Sequence, residues 1–264
     1  MTNLTPLRNF INEPHCDLGV NAWVLADLVK GMKNARFIDL GVRLGASSAI
    51  MSIDAAENNN KVCGCDLMFD GFQKQGARFV NEDYTCYMAD SVTLGKEWDE
   101  DPFAIIFVDT IHTREQVLAE LYFWVDHLKE GGYLIFHDTH WVGPNGEDNP
   151  VAEDTYGDTI GGKLWKRPDV AVTDFFNLPK SVREMTEYEN DDILLEHYIP
   201  SMGMTFVKVK TLDAIARFKE GIDWDEVFEH RNYLNDVHFN PSNPKFVDWD
   251  QDIPNIQNQL VITP

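Results

Sequence analysis

The sequence predicts an α/β protein: a seven-stranded, mostly parallel sheet with helices on both faces and an antiparallel hairpin at its end. Three observations carry this. Strand-like runs alternate with helical segments from residue 21 to residue 138. Runs such as "FAIIFV" (103–108) and "YLIF" (133–136) are nearly continuous in apolar residues, which marks strands covered on both faces. An acid closes each of the first five runs, namely Asp39, Asp66, Asp90, Asp109 and Asp138. Sheets of this kind bind ligands at the carboxyl ends of their strands.

Each element has its own signal. Over residues 21–33, Trp23, Val24, Leu25, Leu28, Val29 and Met32 recur at helical spacing, so a helix precedes the first strand, "FIDL". A turn with Gly41 and Gly45 follows, then a helix over 47–57 stopped by "NNN", and a strand "KVCGCD" at 61–66. A weak helix is expected over 72–80 and strands over 84–90 and 102–110. Thr113 and Gln116 have the spacing of a capping box for a helix over 114–130, whose Val117, Leu118, Leu121, Tyr122, Val125 and Leu128 form one stripe. Gly131 and Gly132 are expected to stop it before the strand at 133–138. A helix over 166–177 and strands over 192–198 and 204–209, joined through "PSMG", complete the sheet as a hairpin.

The chain reads as one domain, 1–264, with an amino-terminal extension (1–20), a lid or substrate loop (142–162) and a carboxy-terminal extension (211–264). The loop is rich in Gly, Pro and acids, and loops this long inside a compact domain are commonly functional. Asp and Glu number 44 against 22 Lys and Arg, a net charge of −22, which disfavours nucleic acid and anionic membrane surfaces as partners. No run approaches the ~18 apolar residues of a membrane span, and "MTNLTPLRNFINEP" has neither the basic cluster nor the apolar core of a leader, so a cytoplasmic protein is expected. The four cysteines, Cys16, Cys63, Cys65 and Cys86, match no zinc spacing and read as small buried residues.

The glycine turn lets the backbone approach a ligand and aims helix-start N–H groups at it. "DLGVRLG" lacks the middle glycine of a dinucleotide fingerprint, and no "GK[ST]" follows as in a phosphate loop. Asp66 lies 21 residues after Gly45, the spacing of an acid that binds ribose hydroxyls. Asp90 and Ser91, one strand further, are suited to an adenine edge. Each acid alone reads equally well as a helix cap or loop residue, but together they favour a nucleoside.

"FIDLGVRLGASS", "CGCD", "MADS" and "FVDTIHTREQVLAELYFWVDHLKEGGYLIFHDTH" resemble class I S-adenosylmethionine-dependent methyltransferases. More narrowly they resemble the metal-dependent O-methyltransferases, the group of macrocin O-methyltransferase and of proteins named cephalosporin hydroxylase. The resemblance spans about residues 21–141. It implies a Rossmann-like sheet, with S-adenosylmethionine held at its methionine end by the turn of Asp39, Gly41, Val42, Gly45 and Ser47. Asp66 would take the ribose, and Asp90 with Ser91 the adenine. It also implies a divalent-metal site at Asp109 and the strand-end pair His137–Asp138, with His112 as the base that deprotonates a substrate hydroxyl.

Here the sequence departs from the family, which has an acid where His137 stands. Mg2+ is the expected ion; a softer one is expected if His137 binds it rather than turning aside. His140 reads as a further ligand, a second base or a loop residue. The acceptor would be a small molecule, a sugar or other natural product, and the protein a possible homodimer. Two other readings stay open: a non-haem metal oxygenase using Asp109 or Asp138 with His137 and His140, and a non-catalytic cofactor-binding partner protein.

Overall fold

Helices α1 (Thr5–Ile11) and α2 (Asn21–Lys30) precede a run of strand–helix units. Strand β1 (Arg36–Leu40) leads to α3 (Ala46–Met51), β2 (Lys61–Asp66) to α4 (Asp70–Lys74), and β3 (Thr85–Met88) to α5 (Ser91–Glu97). Strand β4 (Phe103–Val108) leads to α6 (Arg114–Trp124), and β5 (Leu128–His137) follows. A separate ribbon pairs β6 (Tyr156–Ile160) with β7 (Lys163–Lys166). Then come α7 (Pro168–Phe175), β8 (Glu187–Glu189), β9 (Ile193–Tyr198), β10 (Met204–Val209), α8 (Ile215–Phe218) and α9 (Trp224–Phe239). This is a computed structural model, and it describes residues 4–13, 16, 18–139, 156–160, 163–199 and 202–239.

The main sheet has eight strands in the order β3-β2-β1-β4-β5-β10-β9-β8. Strands β1 to β5 are parallel to one another, whereas β10, β9 and β8 join by antiparallel pairing. The chain order reverses sides between β1 and β4, and this switch point opens the crevice in which doubly wound sheets hold ligands.

Alternation along the central strands divides the core in two. Ile38, Leu40, Ile106, Val108, Leu134 and Phe136 pack toward one layer with α6 and α7 residues. Phe37, Ile105, Phe107 and Ile135 pack toward the other with residues of α1, α2 and α3. Successive strand side chains point to opposite faces, so near-continuous apolar runs are what a doubly covered sheet requires.

The eighth strand corrects the expected seven: Glu187–Glu189 pairs along β9 as an edge, and three polar-flanked residues carry too little periodicity to announce a strand. The helix expected over 114–130 ends at Trp124; Val125–His127 tighten into a 3-10 turn, and Leu128 already pairs with Phe103. Gly131, at φ 72°, and Gly132 therefore lie inside β5 and do not stop a helix. Val125 and Leu128 are buried in either arrangement, which is why their spacing imitates a helical stripe.

The helix expected over 72–80 is split between α4 and a 3-10 turn, Gly76–Phe79. Those over 47–57 and 166–177 shorten to α3 and α7, the latter starting at Pro168, whose fixed φ suits a first helical position. Half of the expected capping box forms. Thr113 Oγ1 accepts from the Gln116 backbone N–H at 3.3 Å, while the Gln116 side chain turns to Ser91 and Glu120. Within the expected loop 142–162, only β6 falls among the described residues. Cys63 and Cys65 are buried as expected, Cys16 and Cys86 only partly. Among the described residues no helix is long and apolar enough to cross a membrane.

Candidate active site

Every acid singled out in the sequence lies at or just past the carboxyl end of a strand, along one edge of the sheet. Their roles differ once their partners are known.

Both turn glycines are demanded by the chain itself. Gly41 sits at φ 91°, and a Cβ there would overlap the carbonyl oxygen of Asp109. This is where the β1 and β4 ends touch, joined by the Asp109 N–H donating to Leu40 O at 2.8 Å. Gly45, at φ 85°, starts α3, and a Cβ there would overlap the Phe72 ring. Val42 packs against Phe69 and Phe72. Asp66 pins the turn from the β2 end: its Oδ2 accepts from the Arg43 backbone N–H at 2.8 Å and its Oδ1 from that of Met68 at 3.1 Å. Burial raises the pKa of Asp66 from its ordinary value despite these donors.

Asp39 is fully buried. Its Oδ2 accepts from Ser47 Oγ at 2.6 Å and Ser48 Oγ at 2.5 Å, so it ties the start of α3 to β1, while Oδ1 has no hydrogen-bond partner. Burial pushes its pKa up to about 7 against those donors.

Asp90 caps α5, accepting from the Thr93 N–H at 2.8 Å through Oδ1, and pairs through Oδ2 with Arg231 of α9. Ser91 Oγ donates to Glu120 at 2.5 Å. Glu120 Oε1 also accepts from Thr110 and Gln116, each at 2.8 Å, and Arg231 Nε donates to Gln116 Oε1 at 3.3 Å. Desolvation pushes Glu120 up to about 7, with the three donors opposing. The side chains of Asp90 and Ser91, expected at an adenine edge, are thus engaged within the chain. Sequence reasoning missed Glu120 and Arg231, because a lone Glu in an amphipathic stripe and an Arg over a hundred residues away carry no pattern.

It also missed Met68 and Met88. Met88 is the register partner of Asp66, and both thioethers are more than half exposed at this edge.

At the β4 and β5 ends the chemistry is different. Asp109 follows β4; His137 ends β5 and Asp138 follows it. In an extended strand His137 and Asp138 would face opposite sides. Asp138 instead adopts φ 54°, a left-handed conformation that costs a non-glycine residue about 1 kcal/mol. That twist brings Asp138 Oδ2 to 3.2 Å from His137 Nδ1, which also lies 3.3 Å from Asp109 Oδ1. His112, in the loop after β4, directs Nε2 to Asp138 Oδ2 at 2.8 Å and to Asp109 Oδ1 at 3.4 Å.

Burial opposes charge on all four groups, but mutual attraction overrides it. His112 is pushed up to about 10 by the two carboxylates, His137 is raised well above its ordinary value, and Asp109 and Asp138 are lowered. With neutral imidazoles, the same side chains carry a net charge of −2, which a dication compensates. Asp109, His137 and Asp138 are the group among the described residues whose ligand atoms could hold one ion, all lying within 4.8 Å of one another. His140 lies outside the described residues. A groove of about 600 Å³, lined in part by Leu7, Phe10, Ile53 and Phe79, includes none of these groups.

Residues 38–139 match a family described as "Methyltransferase domain", a span that contains every site residue named above except His140 and Arg231. No curated protein matches the chain. Among solved structures, the chain is similar to an O-methyltransferase from Bacillus cereus in complex with SAH, at 16% identity and a TM-score of 0.53, covering 80% of this chain and 93% of that one. It is also similar to an SAH-bound methyltransferase from Podospora anserina, at 13% identity and a TM-score of 0.52, covering 78% and 88%. A cofactor-bound protein from MTB shares 13% identity at a TM-score of 0.53, covering 78% and 87%. At these identities the likeness is one of fold. Residues 38–139 thus match a methyltransferase family model, and the chain shares the sheet architecture of these solved methyltransferases.

Proposed function

We propose that the protein transfers the methyl group of S-adenosylmethionine to a hydroxyl of a small molecule, a sugar or other natural product, with a divalent ion held by Asp109, His137 and Asp138. The observation that carries this reading is the convergence of His112 on Asp109 and Asp138, at 3.4 and 2.8 Å, beside the backbone joint where Gly41 meets Asp109. The SAH bound by the Bacillus cereus and Podospora anserina proteins supports the choice of cofactor.

The cofactor supplies an electrophilic methyl group, and the ion, when bound, lowers the pKa of an oxygen attached to it. The chain's own part is alignment and proton handling. The turn from Gly41 to Ser47 would receive the methionine portion. Asp66, with its two oxygens anchored at one lone pair each, keeps acceptor capacity for ribose hydroxyls. The exposed faces of Met68 and Met88, next to Asp90 and Ser91, suit a flat adenine ring.

His112 is the group positioned to take the acceptor's proton: its side chain is 41% exposed, whereas those of Asp138 and His137 are 7% and 0% exposed. Once the carboxylates are compensated by a cation, its imidazole no longer has reason to stay protonated and can serve as a base near neutrality. We expect the protein to act in the cytoplasm, as a homodimer, on a small molecule and not on nucleic acid.

Calorimetry with S-adenosylhomocysteine tests the reading directly. Binding in the micromolar range is expected; no heat at millimolar ligand would sink it.

A further inference from the structure

His137 is the residue in which this chain departs from a carboxylate pair, and its geometry decides what the departure means. Its side chain is 0% exposed, and neither ring nitrogen has a hydrogen-bond partner. Nδ1 nevertheless lies 3.3 Å from Asp109 Oδ1 and 3.2 Å from Asp138 Oδ2. Asp138 Oδ2 is likewise buried outside hydrogen-bond geometry. Buried polar atoms are nearly always hydrogen-bonded, so a buried imidazole nitrogen within ion-pair reach of two carboxylates but outside hydrogen-bond geometry to both requires an explanation.

The spacing supplies one. Ligand atoms ~2.1 Å from a common ion stand ~3.0 to 3.4 Å apart along the edges of an octahedron or tetrahedron. The two nitrogen-to-oxygen separations fall in that interval. The ring is also fully buried. It is packed at the end of β5, with its backbone paired to Met204 of β10, and the left-handed Asp138 delivers the second carboxylate to the Nδ1 side.

We infer that His137 is a metal ligand through Nδ1, and that the site takes a nitrogen-accepting first-row dication, Mn2+, Fe2+, Co2+ or Zn2+, in preference to Mg2+. Mg2+ prefers all-oxygen shells and gives up water reluctantly, whereas imidazole binds the transition ions increasingly well along the first row. The inference rests on the metal-assisted reading above and replaces its expected ion.

The test uses the full chain, stripped with a chelator and titrated separately with Co2+, Mn2+ and Mg2+. Binding is read by calorimetry, Co2+ by its visible absorption, and Mn2+ by its nitrogen hyperfine coupling. The wild type is expected to bind Co2+ and Mn2+ at least about ten-fold more tightly than Mg2+. His137→Asp should narrow that preference, and the near-isosteric His137→Asn should weaken Co2+ at least about ten-fold and remove the nitrogen coupling while keeping the far-ultraviolet spectrum.

Equal affinity for Mg2+ and Mn2+ in the wild type would overturn the inference and leave the metal-assisted reading intact. So would a nitrogen coupling that survives in His137→Asn and vanishes in His112→Asn. If no dication binds the wild type while S-adenosylhomocysteine still does, the metal part of the proposed function falls and takes this inference with it.

Discussion

Two buried polar clusters lie along the same sheet edge, and they are built on opposite principles. Around Glu120, Ser91, Thr110 and Gln116 all donate to one carboxylate oxygen, and Arg231 closes the network onto Asp90. Around Asp138, charged atoms approach to 2.8–3.4 Å, yet His137 Nδ1 and Nε2 and Asp138 Oδ2 lack hydrogen-bond geometry. The first cluster gathers its donors on Glu120 Oε1, leaves only Oε2 of that carboxylate without a partner, and fastens α9 to α5 and α6. The second brings two carboxylates and two imidazoles together, the arrangement on which the proposed ion site rests. A buried acid by itself therefore says little about function; the two clusters differ in whether donors or other charged groups surround it.

Substitutions in the two clusters should accordingly act on different observables. The largest effect is expected from His112→Ala, which should lower methyl transfer by about 10²- to 10⁴-fold while leaving S-adenosylhomocysteine affinity within about two-fold. Retained turnover in an acceptor assay would remove the base from the mechanism.

Gly41→Ala tests the joint between the turn and the Asp109 corner. It forces a side chain onto the Asp109 carbonyl at φ 91°, and about 3 kcal/mol of stability should be lost, read as a lower urea midpoint. An unchanged midpoint would mean that the β1 and β4 ends can separate without cost.

Arg231→Ala should act on the Glu120 cluster alone. It leaves Asp90, whose side chain is 23% exposed, without its cation, at a cost of about 1–3 kcal/mol, with dication affinity unaltered. Altered ion binding would show that the two clusters are coupled through Thr110, next to Asp109 in sequence.

The smallest effect is a slope. Glu120 has a folded pKa of about 7 against an ordinary 4.5, and Asp39 is shifted to about 7 from 3.8. A raised carboxyl binds its proton more tightly in the folded state, so its contribution is fully present below the ordinary value and is lost as pH rises through about 7. Wild-type stability should therefore fall as pH rises across that window. Glu120→Gln should remove part of the slope, on the order of 1 kcal/mol, and leave the share of Asp39. Parallel denaturation profiles for wild type and variant would show that Glu120 does not titrate there.

The sequence by itself determined the alternating architecture, five of the eight strands as a parallel set, the hairpin, and the placement of the key acids at one edge. These are local matters: burial on two faces writes continuous apolar runs, and strand ends are written by the acids and glycines that follow them. Edge strand β8 and the end of α6 escaped, because a three-residue strand has no period and a stripe of buried residues looks alike in a helix and in the turn after it.

Which partners each acid finds was decided only in three dimensions. Asp66 and Asp90 each accept from a backbone N–H two or three residues on, but nothing in the sequence says that Arg43 donates to Asp66, that Arg231 closes on Asp90 or that Glu120 gathers three donors. The same holds for His137. Its residue type raised the question of whether it turns aside. Only the folded chain places its ring beside Asp109 and Asp138, because side-chain direction at a strand end depends on the backbone twist beyond it, which residue identity does not encode.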